Sequence, residues 1–526
     1  MPTSLRLHAL GYTTPDGVRL FSDLTLSFSG ERTGLVGRNG AGKSTLLRIM
    51  SGAFAPAAGS IAREGDVRLL QQSAAPLSGE TIADAFGARE ALDRLQRLET
   101  GHGTADDMAD ADWTLPEHVA AALVDAGLPG LEPSHPLKAL SGGQRTRLAL
   151  AALTFGAPAL ILLDEPTNNL DADGRAAVAE LITRHRGGAV VASHDRDLLR
   201  LMDRIVEISS LGVKIYGGGW DTYVALRAEE RAAAADNLDA AERRVRQVAR
   251  DGQAARERQE RHAQSGRKLR AKGGVPRIAL GGMKRRAEDS TGRTHVIAER
   301  KNADAAAELA AARAEVERET QVNAAIGSSR LAANARVLTL VNLAGGYEGA
   351  APVIRNCSLE MIGPERVAIT GANGSGKSTL LRLVTGALRP IAGTADLHVR
   401  AALLDQDVTL LDPGISVRDN FRRLNPGETE NTCRAALARF MFRADAALQG
   451  VATLSGGEKI RAGLACVLGG SKVPGLIVLD EPTNHLDLHA VAAIENGLNA
   501  YDGAILVVSH DETFLDAIGI TRRVAL

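Results

Sequence analysis

The sequence predicts an α/β chain: two domains built on largely parallel sheets, joined by a long antiparallel α-helical hairpin. Three observations predict it. A series of short motifs occurs twice in the same order, short apolar runs separate those motifs, and a middle segment of different composition lies between the two series. The expected boundaries are 1–225, 226–335 and 336–526.

The first motif of each series is Gly37-Arg38-Asn39-Gly40-Ala41-Gly42-Lys43-Ser44, matched by Gly371-Ala372-Asn373-Gly374-Ser375-Gly376-Lys377-Ser378. Each follows an apolar run (Thr33–Val36, Val367–Thr370) and precedes a helix-favouring one that starts at Thr45 or Thr379. Strand, glycine loop and helix form a phosphate cradle, because the glycines let backbone N–H groups turn inward and the helix N-terminus adds partial positive charge. Lys43 and Lys377 then reach the outer phosphates of a nucleoside triphosphate, and Ser44 and Ser378 can ligate Mg²⁺.

The remaining motifs keep their spacing. Gln72 and Gln406 each lie 29 residues after their lysine. Gln71 competes with Gln72, and matching the two halves favours Gln72. Leu140-Ser141-Gly142-Gly143-Gln144 is answered by Leu454-Ser455-Gly456-Gly457-Glu458. Leu160–Leu163 and Leu476–Leu479 read as buried strands that end in Asp164-Glu165 and Asp480-Glu481. His194 and His510 each follow that aspartate by 30 residues, inside Ser-His-Asp.

These elements resemble the ABC ATPase superfamily. LSGG[QE] with DEPTN[HN]LD, two such domains on one chain and no membrane domain are similar to its ABC-F class. The resemblance implies ATP and Mg²⁺ as ligands and ATP hydrolysis as the activity. Glu165 and Glu481 would polarise the attacking water, and His194 and His510 would contact the γ-phosphate. Asp164, Asp480, Gln72 and Gln406 would join Ser44 and Ser378 at the metal. Ser141-Gly142-Gly143 and Ser455-Gly456-Gly457 would cap the nucleotide bound by the opposite half, so one monomer pairs its own two domains. Tyr12 and Tyr347, 31 and 30 residues before their lysines, are either adenine-stacking or core residues. Asn169 stands where the second half has His485, a departure expected to change a rate and not to silence a site.

Composition narrows the partners. Lys+Arg is 62 and Asp+Glu 63, so overall charge does not hold nucleic acid. The average hides a basic segment: from Arg243 to Lys301 there are 18 Lys/Arg against 6 Asp/Glu, a net of +12. Two alanine-rich helices are expected here, Arg227–His262 and Ile297–Ile326. The loop between them is broken by Pro276 and glycines, within a tip of about 266–295. Arg267, Lys268, Arg270, Lys272, Arg277, Lys284, Arg285, Arg286 and Arg293 crowd that tip and suit phosphate oxygens. Aromatics are only 3%, so base stacking is a minor expectation.

By resemblance this linker enters the ribosome and touches tRNA and rRNA, as in a translation factor or a protein that protects the ribosome from antibiotics. Tyr216–Tyr223 resembles the stretch that leads into it. The alternative is an ATPase subunit serving separate membrane chains, against which the basic hairpin argues. Residues 76–137 exceed their counterpart in the second half by about 20 and are expected to form a reduced arm or a loop. Three scattered cysteines, no apolar run long enough to span a membrane and no signal-peptide core predict a cytoplasmic protein.

Overall fold

A computed structural model describes residues 5–70, 79–209, 212–271, 299–313, 327–347, 349, 351–484 and 486–526. Gln71, Gln72, His485, Lys272, Arg277, Lys284, Arg285, Arg286 and Arg293 lie outside the described residues, as do the side chains of Arg267, Lys268 and Arg270. The chain divides into two compact units, Met1–Asp221 with Thr320–Leu526, and Thr222–Glu319.

The first unit holds both halves of the repeat. In half one, strands β1 (Leu5–Thr13), β2 (Arg19–Phe28) and β4 (Ala58–Arg63) form an antiparallel sheet in the order β2-β1-β4. The larger sheet has the order β5-β6-β7-β3-β8-β9, from β3 (Arg32–Gly37), β5 (Val67–Leu70), β6 (Leu160–Asp164), β7 (Gly188–Ala192), β8 (Arg204–Ser209) and β9 (Gly212–Gly217). Its strands run parallel except β9, which turns back on β8. Half two repeats the plan. β10 (Arg336–Gly345), β11 (Ile354–Ile362) and β13 (Ala392–Leu397) make the small sheet. β12 (Arg366–Thr370), β14 (Ala401–Leu404), β15 (Leu476–Asp480), β16 (Ala504–Val508) and β17 (Arg522–Ala525) make a wholly parallel one, ordered β14-β15-β16-β12-β17.

β6, β7, β15 and β16 are buried along nearly their whole length. Continuous apolar runs are what a parallel strand covered on both faces requires. One face of the half-one sheet packs on the helix Lys43–Ser51 and the small sheet, through Leu46, Leu47, Leu162 and Val190.

Residues 79–137, expected to form a reduced arm or loop, fold into short helices. Arg89–Glu99 and Ala105–Ala109 form a small pair tied by Arg97 to Asp107 at 2.6 Å. Leu115–Asp125 packs Val119 and Leu123 into the helical lobe.

In the second unit the first helix is longer than the expected Arg227–His262. It runs Trp220–Ala271, 52 residues or about 78 Å at 1.5 Å per residue. It starts as soon as Gly217–Gly219 end, because nothing after them breaks a helix. Residues 299–313 are helical and antiparallel to it: Arg244 pairs with Glu308 at 3.1 Å and Arg313 with Glu242 at 3.7 Å. Ala241, Ala305 and Ala312 are buried, the close alanine packing the composition predicts. Residues 327–335 belong to the other unit, where Ser328 Oγ and Ser329 N–H donate to Asp502.

Candidate nucleotide sites

Strand order assembles each site. β6, β7 and β3 are parallel neighbours, so their carboxyl ends open on one edge. Lys43 follows β3, Asp164-Glu165 ends β6 and His194 follows β7. β15, β16 and β12 do the same for Asp480-Glu481, His510 and Lys377. Lysines and carboxylates more than 100 residues apart in sequence therefore meet, at the usual place for a ligand in an open α/β sheet.

The glycine loops are built for close approach. Gly42 and Gly376 sit at φ +95° and +101° as the caps of their helices. A side chain there would be strained, and its Cβ would meet the Phe21 ring or Val353 at 2.7 Å. Lys43 Nζ donates to the Gly37 carbonyl at 2.7 Å, and Lys377 Nζ to Gly371 at 2.8 Å. Both lysines are buried, and burial lowers both pKa values. Ser44 Oγ donates to Asp164 Oδ1 at 3.0 Å, and Ser378 hydrogen-bonds Asp480. Asp480 Oδ1 is buried without a partner, which fits a cation held with Ser378.

Glu165 and Glu481 extend the strand pairing by one bond, their N–H groups donating to Ala192 and Val508. Both then turn into the left-handed region, at φ +46° and +47°. This strain is repeated in both halves and aims the carboxylate back into the site. Burial holds Glu165 well above the usual carboxylate range and raises Glu481 to about 7. His194 Nε2 stands 3.1 Å from Glu165 Oε1 but is not aligned as a hydrogen bond; His510 stands 3.5 Å from Glu481. Burial lowers His194 to about 3 and His510 to about 4, so both rings are neutral near pH 7. The flanking residues fix them. Ser193 Oγ accepts from Asp195 N–H, Ser509 Oγ accepts from Asp511 N–H, and each aspartate caps the helix that follows.

Ser141 and Ser455 open their helices with full capping boxes, closed by Gln144 and Glu458. Gln406 lies exposed just after β14. Tyr12 stacks on Phe54 with ring centroids 6.3 Å apart, and Tyr347 is 46% exposed with its hydroxyl accepting from Arg382.

Asp171 and Asp487 were not among the sequence candidates and join the halves. Asn39 N–H donates to Asp487 at 3.0 Å, and Asn373 N–H donates to Asp171 at 3.2 Å. Each aspartate also caps its own helix. The Asn373 side chain further donates to the Asn169 carbonyl at 2.9 Å, and Asn169 sits at φ +61°, which asparagine tolerates. The available signal was that both aspartates close the shared Asp-Glu-Pro-Thr-Asn-x-Leu-Asp run.

A family model described as ABC transporter matches residues 21–168 and 354–484. The chain belongs to the ABC family. The chain is of the ABC-F class, and domains of this kind bind ATP. The ABC-F chain is 34% identical to the tylosin resistance ATP-binding protein TlrC of Streptomyces fradiae, over 97% of this chain and 95% of that protein. It is 30% identical to the energy-dependent translational throttle protein EttA of Mycobacterium tuberculosis (strain CDC 1551 / Oshkosh), over 94% and 87%. Its fold is similar to a chain in the complex of the archaeal ribosomal stalk protein aP1 and the archaeal ribosome recycling factor aABCE1, with TM-score 0.53, 17% identity and coverage of 98% and 87%. Among the described residues no helix is long and apolar enough to cross a membrane.

Proposed function

We propose that this ABC-F chain hydrolyses ATP at two sites between its halves and acts on the ribosome through its basic hairpin. The observation that carries the first part is the reciprocal contact of each glycine loop with an aspartate of the opposite half. A nucleotide held by Lys43 then lies against half two, and one held by Lys377 against half one. Ser455 and Ser141 cap them, using N–H groups at helix N-termini.

Glu165 and Glu481 orient the attacking water, and their raised pKa values suit proton acceptance near neutral pH. Neutral His194 and His510 donate to the γ-phosphate. Ser44 with Asp164, and Ser378 with Asp480, would hold Mg²⁺ together with Gln72 and Gln406, and bound Mg²⁺ supplies positive charge beside the phosphates. Tyr12, backed by Phe54, is the better placed adenine platform of the two tyrosines. ATP closes the halves and product release parts them, which is a ligand-driven two-state switch.

The second part rests on the net +12 around the hairpin tip and on the relatives. EttA is named for throttling translation and TlrC for tylosin resistance. The tip cations would meet rRNA and tRNA phosphates in the cytoplasm. The double variant Glu165→Gln with Glu481→Gln is expected to bind ATP, lose about 10²–10⁴-fold in hydrolysis, co-sediment with ribosomes in ATP and inhibit translation. Failure to sediment with ribosomes, or sedimentation only with membranes, rejects the ribosomal reading. Alanine at Arg277, Arg285 and Arg286 should leave hydrolysis intact, weaken sedimentation with ribosomes and make what remains less sensitive to salt, since fewer phosphate contacts release fewer counterions. Growth with and without tylosin separates drug resistance from ordinary control of translation.

A further inference from the structure

The two glycine-loop contacts obey the repeat, but the ion pair described between the halves does not. Arg196 of half one forms a double bond pair with Glu495 of half two: Nη1 to Oε1 at 2.8 Å and Nη2 to Oε2 at 3.2 Å. Both side chains are only 13% exposed. A planar guanidinium on a carboxylate in this geometry is among the stronger polar contacts a protein makes. Arg196 is the second residue after His194, and Glu495 the eighth after Asp487. The residues at the corresponding places are Glu512 and Ala179, which cannot pair. Glu512 instead pairs with Arg523 of its own half at 2.7 Å.

A second arginine follows the same bias. Arg175 Nη1 pairs with Asp195, the residue between His194 and Arg196, at 3.1 Å. The corresponding position in half two is Val491, buried in the core. Asp511, the counterpart of Asp195, is a half-buried carboxylate whose neighbouring arginines, Arg175 and Arg196, both come from half one. Thr513 adds smaller contacts across the same seam, donating to Asp197 at 3.2 Å and accepting from Arg200 at 3.3 Å.

The tripeptide His194-Asp195-Arg196 is thus held on one side by Arg175 and on the other by Glu495. The tripeptide at His510 faces the charges of Arg175 and Arg196, but among the described residues it has no bonded ion pair across the seam. We infer that Arg196 and Glu495, braced by Arg175, are positioning residues that couple the loop carrying His194 to the second half, so that closure answers to ATP at the Lys43 site more than at the Lys377 site. This rests on the ATP reading above. When the γ-phosphate leaves the Lys43 site and the His194 loop relaxes, the shift reaches half two through a bonded, largely buried ion pair. Among the described residues, the equivalent shift at His510 meets only the charges of Arg175 and Arg196 and the Thr513 contacts, not a bonded ion pair. The coupling is reciprocal: closure must favour ATP at the Lys43 site by the same factor.

The test uses the full chain in two backgrounds, Lys377→Ala, where only the Lys43 site holds ATP, and Lys43→Ala, where only the Lys377 site does. Each carries Arg196→Ala, the milder Glu495→Gln or the conservative Arg196→Lys. Closure is read by energy transfer between dyes on the two halves during MgATP titration, and kcat and KM for ATP are measured separately. In the Lys377→Ala background, Arg196→Ala and Glu495→Gln should raise the ATP concentration for half-closure about tenfold and lower kcat. In the Lys43→Ala background the change should stay within twofold, and Arg196→Lys should recover most of the loss where it occurs. Installing the missing pair with Ala179→Glu and Glu512→Arg should draw the two backgrounds together. Equal effects in both backgrounds, or a lower melting temperature with closure unchanged, would overturn the inference. A parent chain that binds ATP without hydrolysing it would overturn the ATP reading, and this inference with it.

Discussion

The helical lobes of the two halves occupy the same place in the repeat, and one is sealed while the other is open. In half two, Phe440 ends the helix Glu430–Arg439 and is buried, as is Tyr501 of the same core, whose hydroxyl donates to the Pro474 carbonyl at 2.7 Å. Arg461 stacks under Phe442 and reaches Met441. Half one has Ala126 in place of Phe440, His185 in place of Tyr501 and Gly127 in place of Met441. A cavity of about 950 Å³ opens there, among Ala122, Ala126, Arg147, Phe155, Leu181 and His185. The backbone plan is shared, and half one lacks both of the large rings that half two buries in its lobe. Loss of large side chains from a frame that does not collapse leaves a void, and the void removes packing energy.

The largest effect should come from breaking the sealed lobe. Phe440→Ala or Tyr501→Ala is expected to lower the stability of half two by about 3–5 kcal/mol, as for other buried aromatics. Ala126→Gly and His185→Ala should each cost half one less than about 1 kcal/mol, since the space beside them is already empty. Urea denaturation followed by fluorescence checks the contrast. Equal losses in the two halves would mean that the aromatic pair does not seal the lobe.

Legibility followed the range over which the physics acts. The glycine loops, the Asp-Glu ends and the two histidines were readable because each sits at a fixed offset from a strand end, and the parallel sheet turns those offsets into proximity. The hairpin was readable from its alanine stripe and its charge, although its first helix begins at Trp220, earlier than expected. Arg196 and Glu495 were not readable. They lie 299 residues apart and belong to no motif, and their counterparts differ. Ala126 and His185 are unremarkable as letters; only the neighbours they fail to touch give them meaning.

Acidity acts on both halves in the same sense, and half two shows how it can be read. Glu481 is raised from 4.5 to about 7 and His510 lowered from 6.5 to about 4, both by burial. A raised carboxylate loses its stabilising share as pH rises from 4.5 to 7. A lowered histidine loses its share as pH falls from 6.5 to 4. Between about 4.5 and 6.5 the folded pair carries a proton on the glutamate, and the unfolded pair carries it on the histidine. Proton counts match, so the pair contributes almost no slope. Glu481→Gln should expose the histidine alone. Relative to the parent, nucleotide-free variant stability should then climb with pH in that window by up to about 1.4 kcal/mol per unit. His510→Asn should show the opposite sign. Melting temperatures across pH 4.5–6.5 read both, and parallel curves for parent and variants would reject the burial assignment.

The smallest effect should come from closing the open lobe. His185 and Tyr501 follow the same path: a Cβ added at Gly187 would lie 2.6 Å from His185 Nε2, and one added at Gly503 would lie 2.1 Å from the Tyr501 hydroxyl. Tyrosine at 185 can therefore take the route that Tyr501 takes and donate to the Pro158 carbonyl, the counterpart of Pro474. It would also remove a buried, unpartnered nitrogen, His185 Nε2. With phenylalanine at 126, where half two has Phe440, the double variant Ala126→Phe/His185→Tyr should stabilise half one by about 0.5–2 kcal/mol, as cavity filling does elsewhere. Each single variant should give less than half of that, because one ring without the other packs against empty space. Calorimetric traces of the full chain should show the half-one transition move up while the half-two transition holds. Movement of both together would mean that the lobes melt as one body and that the sealed lobe already supports the open one.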